Sequence, residues 1–199
     1  MIEIETAKDK YNEFFNKIRN RPGVENLGAY LEKYGFFSAP ASTRFHLCIE
    51  GGLLVHSINV TETALKLKKN LLPSFSDESV ILCCLYHDAH KATDGFGNKT
   101  YIKNTADSPL KKPYLWNKKQ MNFSGGQKSL LIISKFVSLT KDEMQAIAYH
   151  DGPYVPSWED IKYDPYPLTL LIHSADVWSA WVLEKNKEQT PSQKFFLHE

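Results

Sequence analysis

The sequence is poor in cysteine, and its cysteines do not form a recognisable pattern. Among 199 residues there are three, Cys48, Cys83 and Cys84, and no Cys-x-x-Cys spacing occurs. An odd number of cysteines, two of them adjacent, is typical of buried thiols and argues against a disulfide framework or a zinc ribbon. We therefore expect a reduced, intracellular protein.

Long apolar runs and an excess of one charge are also missing. No stretch approaches the roughly 18 to 20 apolar residues of a membrane span. The acidic segment 1–5 lacks the basic-then-apolar order of a signal peptide. The formal net charge is only +1, so no overall field attracts nucleic acid or an acidic membrane. These absences predict a cytoplasmic protein without membrane association.

The sequence does contain clear helical periodicity. Apolar residues recur at spacings of three and four in the stretches 6–20, 24–34, 53–70 and 128–137. Further helix starts are marked by Asp77 as an N-cap, by a capping box of Thr140 and Glu143, and by Pro167 at a first helical position. Because no convincing set of β-strands is present, we predict an all-α fold and one domain spanning residues 1–199.

Residues 92–124 have a different composition from the rest of the chain. They combine glycines, prolines and aromatic residues with six lysines and two aspartates, which gives a local balance of +4. A stretch of this length without helical period is usually functional or disordered. We predict a long irregular loop that either covers a substrate or is a solvated surface segment.

An adjacent histidine and aspartate follow a strongly apolar run. Residues 80–85 lead directly into Tyr86 and then into the doublet His87 and Asp88. An imidazole and a carboxylate at neighbouring positions can both bind one divalent metal ion. The alternative is an ordinary helix C-terminus, where the histidine interacts with the helix dipole and the aspartate is solvated.

Two more ionisable residues lie within apolar helical stretches. His56 alone is compatible with a satisfied core residue, but a buried Asp176 is costly unless it is paired or metal-bound. A helical bundle can direct such residues to a common interior site. We therefore predict one divalent metal ion per chain, whose nitrogen and oxygen ligands suit manganese, iron, cobalt, nickel, zinc or magnesium. The predicted ligands are His56, His87, Asp88 and Asp176.

The ordered set His, His-Asp, Asp on separate helices resembles the HD superfamily of metal-dependent phosphohydrolases. It is similar to small phage and bacterial HD hydrolases and to the HD domain of bacterial 3′-to-5′ exoribonucleases. The segments 51–57, 87–91 (His-Asp-x-x-Lys) and 174–176 carry the resemblance, which spans residues 36–183. It implies an HD-type helical bundle that hydrolyses a phosphate ester or anhydride bond of a nucleotide with a metal-activated water.

Two further stretches bear on the number of ions. His150, within residues 147–152, resembles a further histidine of the superfamily. Many members also have a Gly-His pair ahead of a Lys-Ser, whereas this chain has Gly126 where that histidine would stand. The departure favours one ion over two.

The remaining candidate residues have roles that follow from their chemistry. Asp88 would orient the attacking water, and Lys91, one turn beyond His87, would bind a phosphate oxygen. His150 is a candidate for proton transfer, because an imidazole titrates close to neutral pH, and a contact with substrate or water or a structural role is also open. The candidates for substrate contacts are Arg44, His46 and Lys128.

Three functions are compatible with these residues. The first is hydrolysis of a nucleotide or another phosphorylated small molecule. The second is 3′-to-5′ exonuclease or phosphodiesterase activity on nucleic-acid ends, which needs a basic groove with stacking aromatics. The third is a nucleotide- or partner-binding module that retains the metal site without turnover. The low net charge favours a small substrate, and the sequence does not indicate an oligomeric state.

Overall fold

The structure, a computed structural model, describes residues 3–43, 45–105 and 112–185. Within this part of the chain the protein is mostly helical, as the sequence predicts. Its α-helices are α1 (Ile4–Ile18), α2 (Val24–Lys33), α3 (Gly52–Leu71), α4 (Asp77–Tyr86), α5 (Gly125–Ser134), α6 (Lys141–Ala148) and α7 (Pro167–Trp178). None of the described helices is long and apolar enough to cross a membrane.

Helix α4 lies at the centre of the fold. Every residue from Val80 to Tyr86 is buried, and a helix that is apolar on all sides is typical of a core position. It packs against α1, α3, α6 and α7. The two residues that follow its C-terminus, His87 and Asp88, are therefore buried as well.

Helix α3 begins at a glycine pair that permits a close backbone contact. A Cβ atom on Gly52 would stand 2.2 Å from the carbonyl oxygen of Leu47, so no side chain fits there. The short connection 72–76 makes α3 and α4 antiparallel neighbours. As a result, the N-terminal turns of α3 lie next to the C-terminal end of α4.

The predicted helix starts have different outcomes. The capping box of Thr140 and Glu143 is confirmed at the N-terminus of α6, and Pro167 is confirmed as the first residue of α7. The prediction that Asp77 is an N-cap is wrong, because Ser76 occupies that position and Asp77 is the first helical residue. At that place the carboxylate still interacts favourably with the helix dipole.

The expectation of an all-α fold with an irregular loop at 92–124 is wrong in one part. Strands β1 (Tyr101–Lys103) and β2 (Tyr114–Trp116) form an antiparallel pair in which Tyr101 is opposite Trp116. Strands of three residues are too short to show the alternation by which a strand is recognised in a sequence. The correction is local, since the rest of the described core is helical.

Candidate metal centre

Four helices bring ionisable side chains to one buried position. His56 lies in the second turn of α3, His87 and Asp88 directly follow α4, His150 follows α6, and Asp176 lies near the end of α7. Helix α3 packs against α4 and α7, and α6 packs against α7. Residues far apart in the sequence therefore form one cluster.

The ring nitrogens and carboxylate oxygens of this cluster are close together. His56 Nε2 lies 3.0 Å from Asp176 Oδ1 and 3.5 Å from Asp88 Oδ2. His87 Nε2 lies 3.3 Å from Asp88 Oδ2 and also 3.3 Å from His56 Nε2. His150 Nε2 lies 3.5 Å from Asp88 Oδ1. The structure thus brings the four predicted ligands together and adds the imidazole of His150.

The opposite ring nitrogen of each histidine has an acceptor outside the cluster. His87 Nδ1 and His150 Nδ1 each donate at 2.8 Å to the backbone carbonyl oxygen three residues earlier. His56 Nδ1 lies 3.0 Å from the carboxylate oxygen Oε2 of Glu184. With a proton on each Nδ1, the neutral rings present unprotonated Nε2 atoms to the cluster, which is how metal-bound histidines are commonly held.

Both aspartates of the cluster are ionised at neutral pH. Burial on its own would raise the pKa of Asp88, but Lys91 and His87 hold that pKa well below its usual range. The Nζ atom of Lys91 lies 2.5 Å from Asp88 Oδ2. Burial would also raise the pKa of Asp176, yet the hydrogen bond with His56 lowers it.

The histidines respond to this negative charge. Burial would lower the pKa of His56, but Glu184 and Asp176 raise it to about 10. Burial would likewise lower the pKa of His150, and Asp151 and Asp88 raise it to about 10. The cluster therefore stabilises positive charge at its centre, which either protons or a metal cation can provide.

The spacing of the cluster suits a divalent ion. Two ring nitrogens bound to a tetrahedral ion at ~2.0–2.1 Å lie about 3.3–3.4 Å from each other, and the Nε2 atoms of His56 and His87 are 3.3 Å apart. The sets with ligand atoms at metal-binding spacing include His56, His87 and Asp88, and also His87, His150 and Asp176. These buried residues could hold a metal ion, and their nitrogen and oxygen donors are compatible with several divalent metals.

Glu184 is a buried carboxylate that the sequence analysis does not predict. It is 1% exposed and lies just beyond α7, after a π-helical turn, Ser179–Leu183. The signal in the sequence was weak: a single acidic residue after an apolar and aromatic stretch, directly before the polar tail.

The predicted substrate-binding residues have different surroundings. Arg44 lies outside the described residues. His46 Nδ1 is 2.5 Å from Glu184 Oε2, and the centre of its ring lies 4.8 Å from that of His56, so His46 is at the edge of the cluster. Lys128 is buried near the start of α5. The role of each in substrate binding stays a prediction.

A close backbone contact explains why residue 126 is a glycine. A Cβ atom on Gly126 would stand 2.1 Å from the carbonyl oxygen of Ala148, and one on Gly125 would stand 2.7 Å from the ring of His90. Helix α5 therefore packs directly on the end of α6, and no side chain fits at position 126. The number of ions that the cluster binds stays a prediction.

Comparison of the chain with known protein families, with curated proteins and with solved structures finds no match in any of the three. The case for a function consequently depends on the cluster itself.

Proposed function

We propose that the protein is a metal-dependent phosphohydrolase of the HD type that acts on a nucleotide. The observation that carries the proposal is the convergence of the Nε2 atoms of His56, His87 and His150 on the carboxylates of Asp88 and Asp176. The order of these residues on separate helices supports the resemblance to the HD superfamily. A divalent ion bound here would lower the pKa of a water ligand and neutralise phosphate charge.

Lys91 supports phosphate binding next to the cluster. It is in contact with Asp88, yet its side chain is 16% exposed, so it connects the cluster with the protein surface. Burial would lower the pKa of Lys91, but Asp88 raises that pKa above its ordinary value. The ammonium group is therefore charged at neutral pH and can bind a phosphate oxygen as a point charge.

Lys128 supports a second phosphate contact. It is 2% exposed, its Nζ donates to Gln120 Oε1 at 2.9 Å, and the same Nζ lies 4.9 Å from the centre of the Trp116 ring. Gln120 Nε2 is buried and has no hydrogen-bond partner in the described residues. The ammonium and the amide together offer donors to an anion, and the half-exposed indole offers a surface on which a base can stack.

The surroundings of His90 connect Lys128 with the cluster. The hydroxyl oxygen Oγ of Ser129, the residue after Lys128 in α5, lies 3.1 Å from His90 Nδ1. The same nitrogen lies 3.6 Å from Asp88 Oδ1. A nucleotide with its reacting phosphate at Asp88 would therefore extend past His90 towards Lys128.

The protein's own groups have limited tasks in the reaction, because in-line attack on phosphorus needs little covalent participation from the enzyme. Asp88 orients the attacking water, and Lys91 binds a phosphate oxygen. The hydrogen bond of His150 Nδ1 holds the ring in place. Its Nε2 atom, which faces Asp88, can then transfer a proton.

The β-hairpin supports a second candidate function, exonuclease or phosphodiesterase activity on nucleic-acid ends. Trp116 is 48% exposed and Ile102 is 46% exposed, and lysines flank both strands. Exposed aromatic and basic side chains are what single-stranded nucleic acid requires for stacking and backbone contact.

A turnover panel distinguishes these possibilities. The purified chain, loaded in turn with manganese, cobalt, zinc or magnesium, is incubated with nucleoside mono-, di- and triphosphates, cyclic nucleotides and short oligomers. We expect metal-dependent release of phosphate or nucleotide from a free nucleotide. Preferential shortening of oligomers would favour the exonuclease. Bound metal without turnover of any compound would overturn the hydrolase proposal and favour the binding module.

A further inference from the structure

We infer that Glu184 is a positioning residue for the metal centre, which holds His56 in the tautomer that presents Nε2 to the ion. This inference rests on the proposed function. It concerns a residue that is distant from the His-Asp doublet in the sequence and contacts the cluster at His56, and it assigns to Glu184 no contact with substrate or metal.

Glu184 satisfies three donors with its two carboxylate oxygens. Oε1 accepts from Asn59 Nδ2 at 2.9 Å, and His56 Nδ1 lies 3.1 Å from Oε1 and 3.0 Å from Oε2. Oε2 is also 2.5 Å from His46 Nδ1. Only an ionised carboxylate accepts from all three groups, because the side-chain amide of glutamine has a single acceptor oxygen.

The π-helical turn brings Glu184 to the cluster. Along a regular α-helix, eight residues rotate a side chain about 80° beyond two full turns, so Glu184 would not lie on the same face as Asp176. The backbone N–H of Glu184 instead donates to the carbonyl oxygen of Ser179, five residues earlier, at 3.0 Å. Such a wider turn reduces the rotation, and π-turns occur frequently at functional sites.

The hydrogen bond to Glu184 decides which nitrogen of His56 is available. A proton on Nδ1 is retained by the carboxylate, so Nε2, which faces Asp88 and Asp176, supplies the lone pair. If the proton moved to Nε2, the ring could no longer bind an ion at the cluster. Removal of the hydrogen-bond partner of a metal-binding histidine usually lowers metal affinity about 10- to 100-fold.

The test is the substitution Glu184→Gln, with zinc affinity measured by competition with a chelator. We expect the dissociation constant of zinc to rise about 10- to 100-fold. A second variant, Asn59→Ala, removes one donor to Glu184 without touching the histidines, and we expect a smaller rise in the same direction. It keeps the inference testable if Glu184→Gln does not fold.

Glu143→Gln is the matched control. Glu143 is also fully buried and accepts from Arg21 at 2.6 and 2.7 Å, but it has no contact with the cluster. We expect Glu143→Gln to lower the free energy of unfolding and to leave the zinc dissociation constant unchanged. An equal loss of affinity in both variants would show a general effect of destabilisation and overturn the inference, as would unchanged affinity in Glu184→Gln.

NMR of the metal-free protein separates this inference from the proposed function. In wild type, the Nδ1–H proton of His56 should give a slowly exchanging downfield signal, since both the Nδ1 tautomer and the imidazolium carry this proton. In Glu184→Gln the signal should shift or disappear. If wild type binds no zinc, the metal site is wrong while this signal still reports on Glu184. An identical signal in both proteins would overturn the positioning role.

Discussion

The Nε2 atoms of His56 and His87 lie 3.3 Å apart, although the Nδ1 atom of each ring already has an acceptor. Two neutral rings in this arrangement would direct lone pairs at each other. A positive charge between or on the rings removes this repulsion, and Asp88 and Asp176 add two negative charges beside it. The arrangement therefore favours a cation, and its spacing equals that of two nitrogens on a tetrahedral ion, about 3.3–3.4 Å.

Substitution of the central carboxylate should remove the ion. We expect Asp88→Ala to abolish metal retention and turnover, because Asp88 contacts His56, His87 and His150 at once. Helical content, measured by circular dichroism, should change little because α4 ends before this residue. The control is Asp164→Ala at an exposed position. Metal content and activity equal to wild type in Asp88→Ala would contradict the proposed site.

Lys91 should act on the substrate more than on the metal. We expect Lys91→Ala to raise KM at least about 10-fold, the loss that corresponds to roughly 1.4 kcal/mol of phosphate binding. The zinc dissociation constant should change much less, since Lys91 competes with the ion for Asp88 and does not ligate it. Steady-state kinetics and metal titration are the measurements. Equal losses of both affinities would indicate that Lys91 is structural.

Metal affinity should rise with pH. The pKa values of His56 and His150 are raised from 6.5 to about 10 in the metal-free cluster, so zinc must displace a proton from each ring that it binds. Of these two rings only His56 is a predicted ligand, and release of its proton increases the apparent affinity about 10-fold per pH unit below about pH 10. Chelator competition at about pH 6, 7 and 8 measures the slope. An affinity that does not change with pH would contradict this charge balance.

The same raised pKa values predict how the stability of the metal-free protein depends on pH. Protonated rings stabilise the folded state fully below pH 6.5, the ordinary pKa of histidine, and this contribution is lost as the pH rises towards 10. Urea unfolding of the metal-free chain should therefore show a falling free energy of unfolding over this interval. A stability that increases over it would show that the rings are not protonated in the folded state.

The close contact between Gly126 of α5 and the backbone of Ala148 should not tolerate an added methyl group. We expect Gly126→Ala to lower the free energy of unfolding by about 1–3 kcal/mol, because the new Cβ would meet the backbone of Ala148. Ser134→Ala, an exposed position on the same helix, is the control and should change the free energy by less than ~0.5 kcal/mol. Urea unfolding of both variants is the measurement, and equal stabilities would contradict the close packing.

Much of the helical fold follows from local patterns in the sequence. The capping box at Thr140 and the proline at position 167 mark helix starts because they act within one turn of the chain. The start of α5 at Gly125 was missed because two glycines are poor helix formers. The hairpin was missed because its strands pair across fifteen positions at Tyr101 and Trp116, which no local period reveals.

The cluster could be predicted in part. His56 and Asp176 stand out because ionisable groups in apolar helices require a partner, and the structure brings both to Asp88. Glu184 could not be predicted, because its direction depends on the π-turn that precedes it. A regular α-helix of 3.6 residues per turn would place Glu184 on a different face from Asp176.

Titration of the metal-free chain with cobalt(II), followed by its visible absorption, tests the central claim most directly. Cobalt accepts the same nitrogen and oxygen ligands as the other candidate metals, and its absorption reports the geometry of the bound ion. The cluster of His56, His87, Asp88 and Asp176 predicts saturation at one ion per chain in wild type and no saturable signal in Asp88→Ala. The absence of saturable binding in wild type, or equal binding in both proteins, would contradict the account.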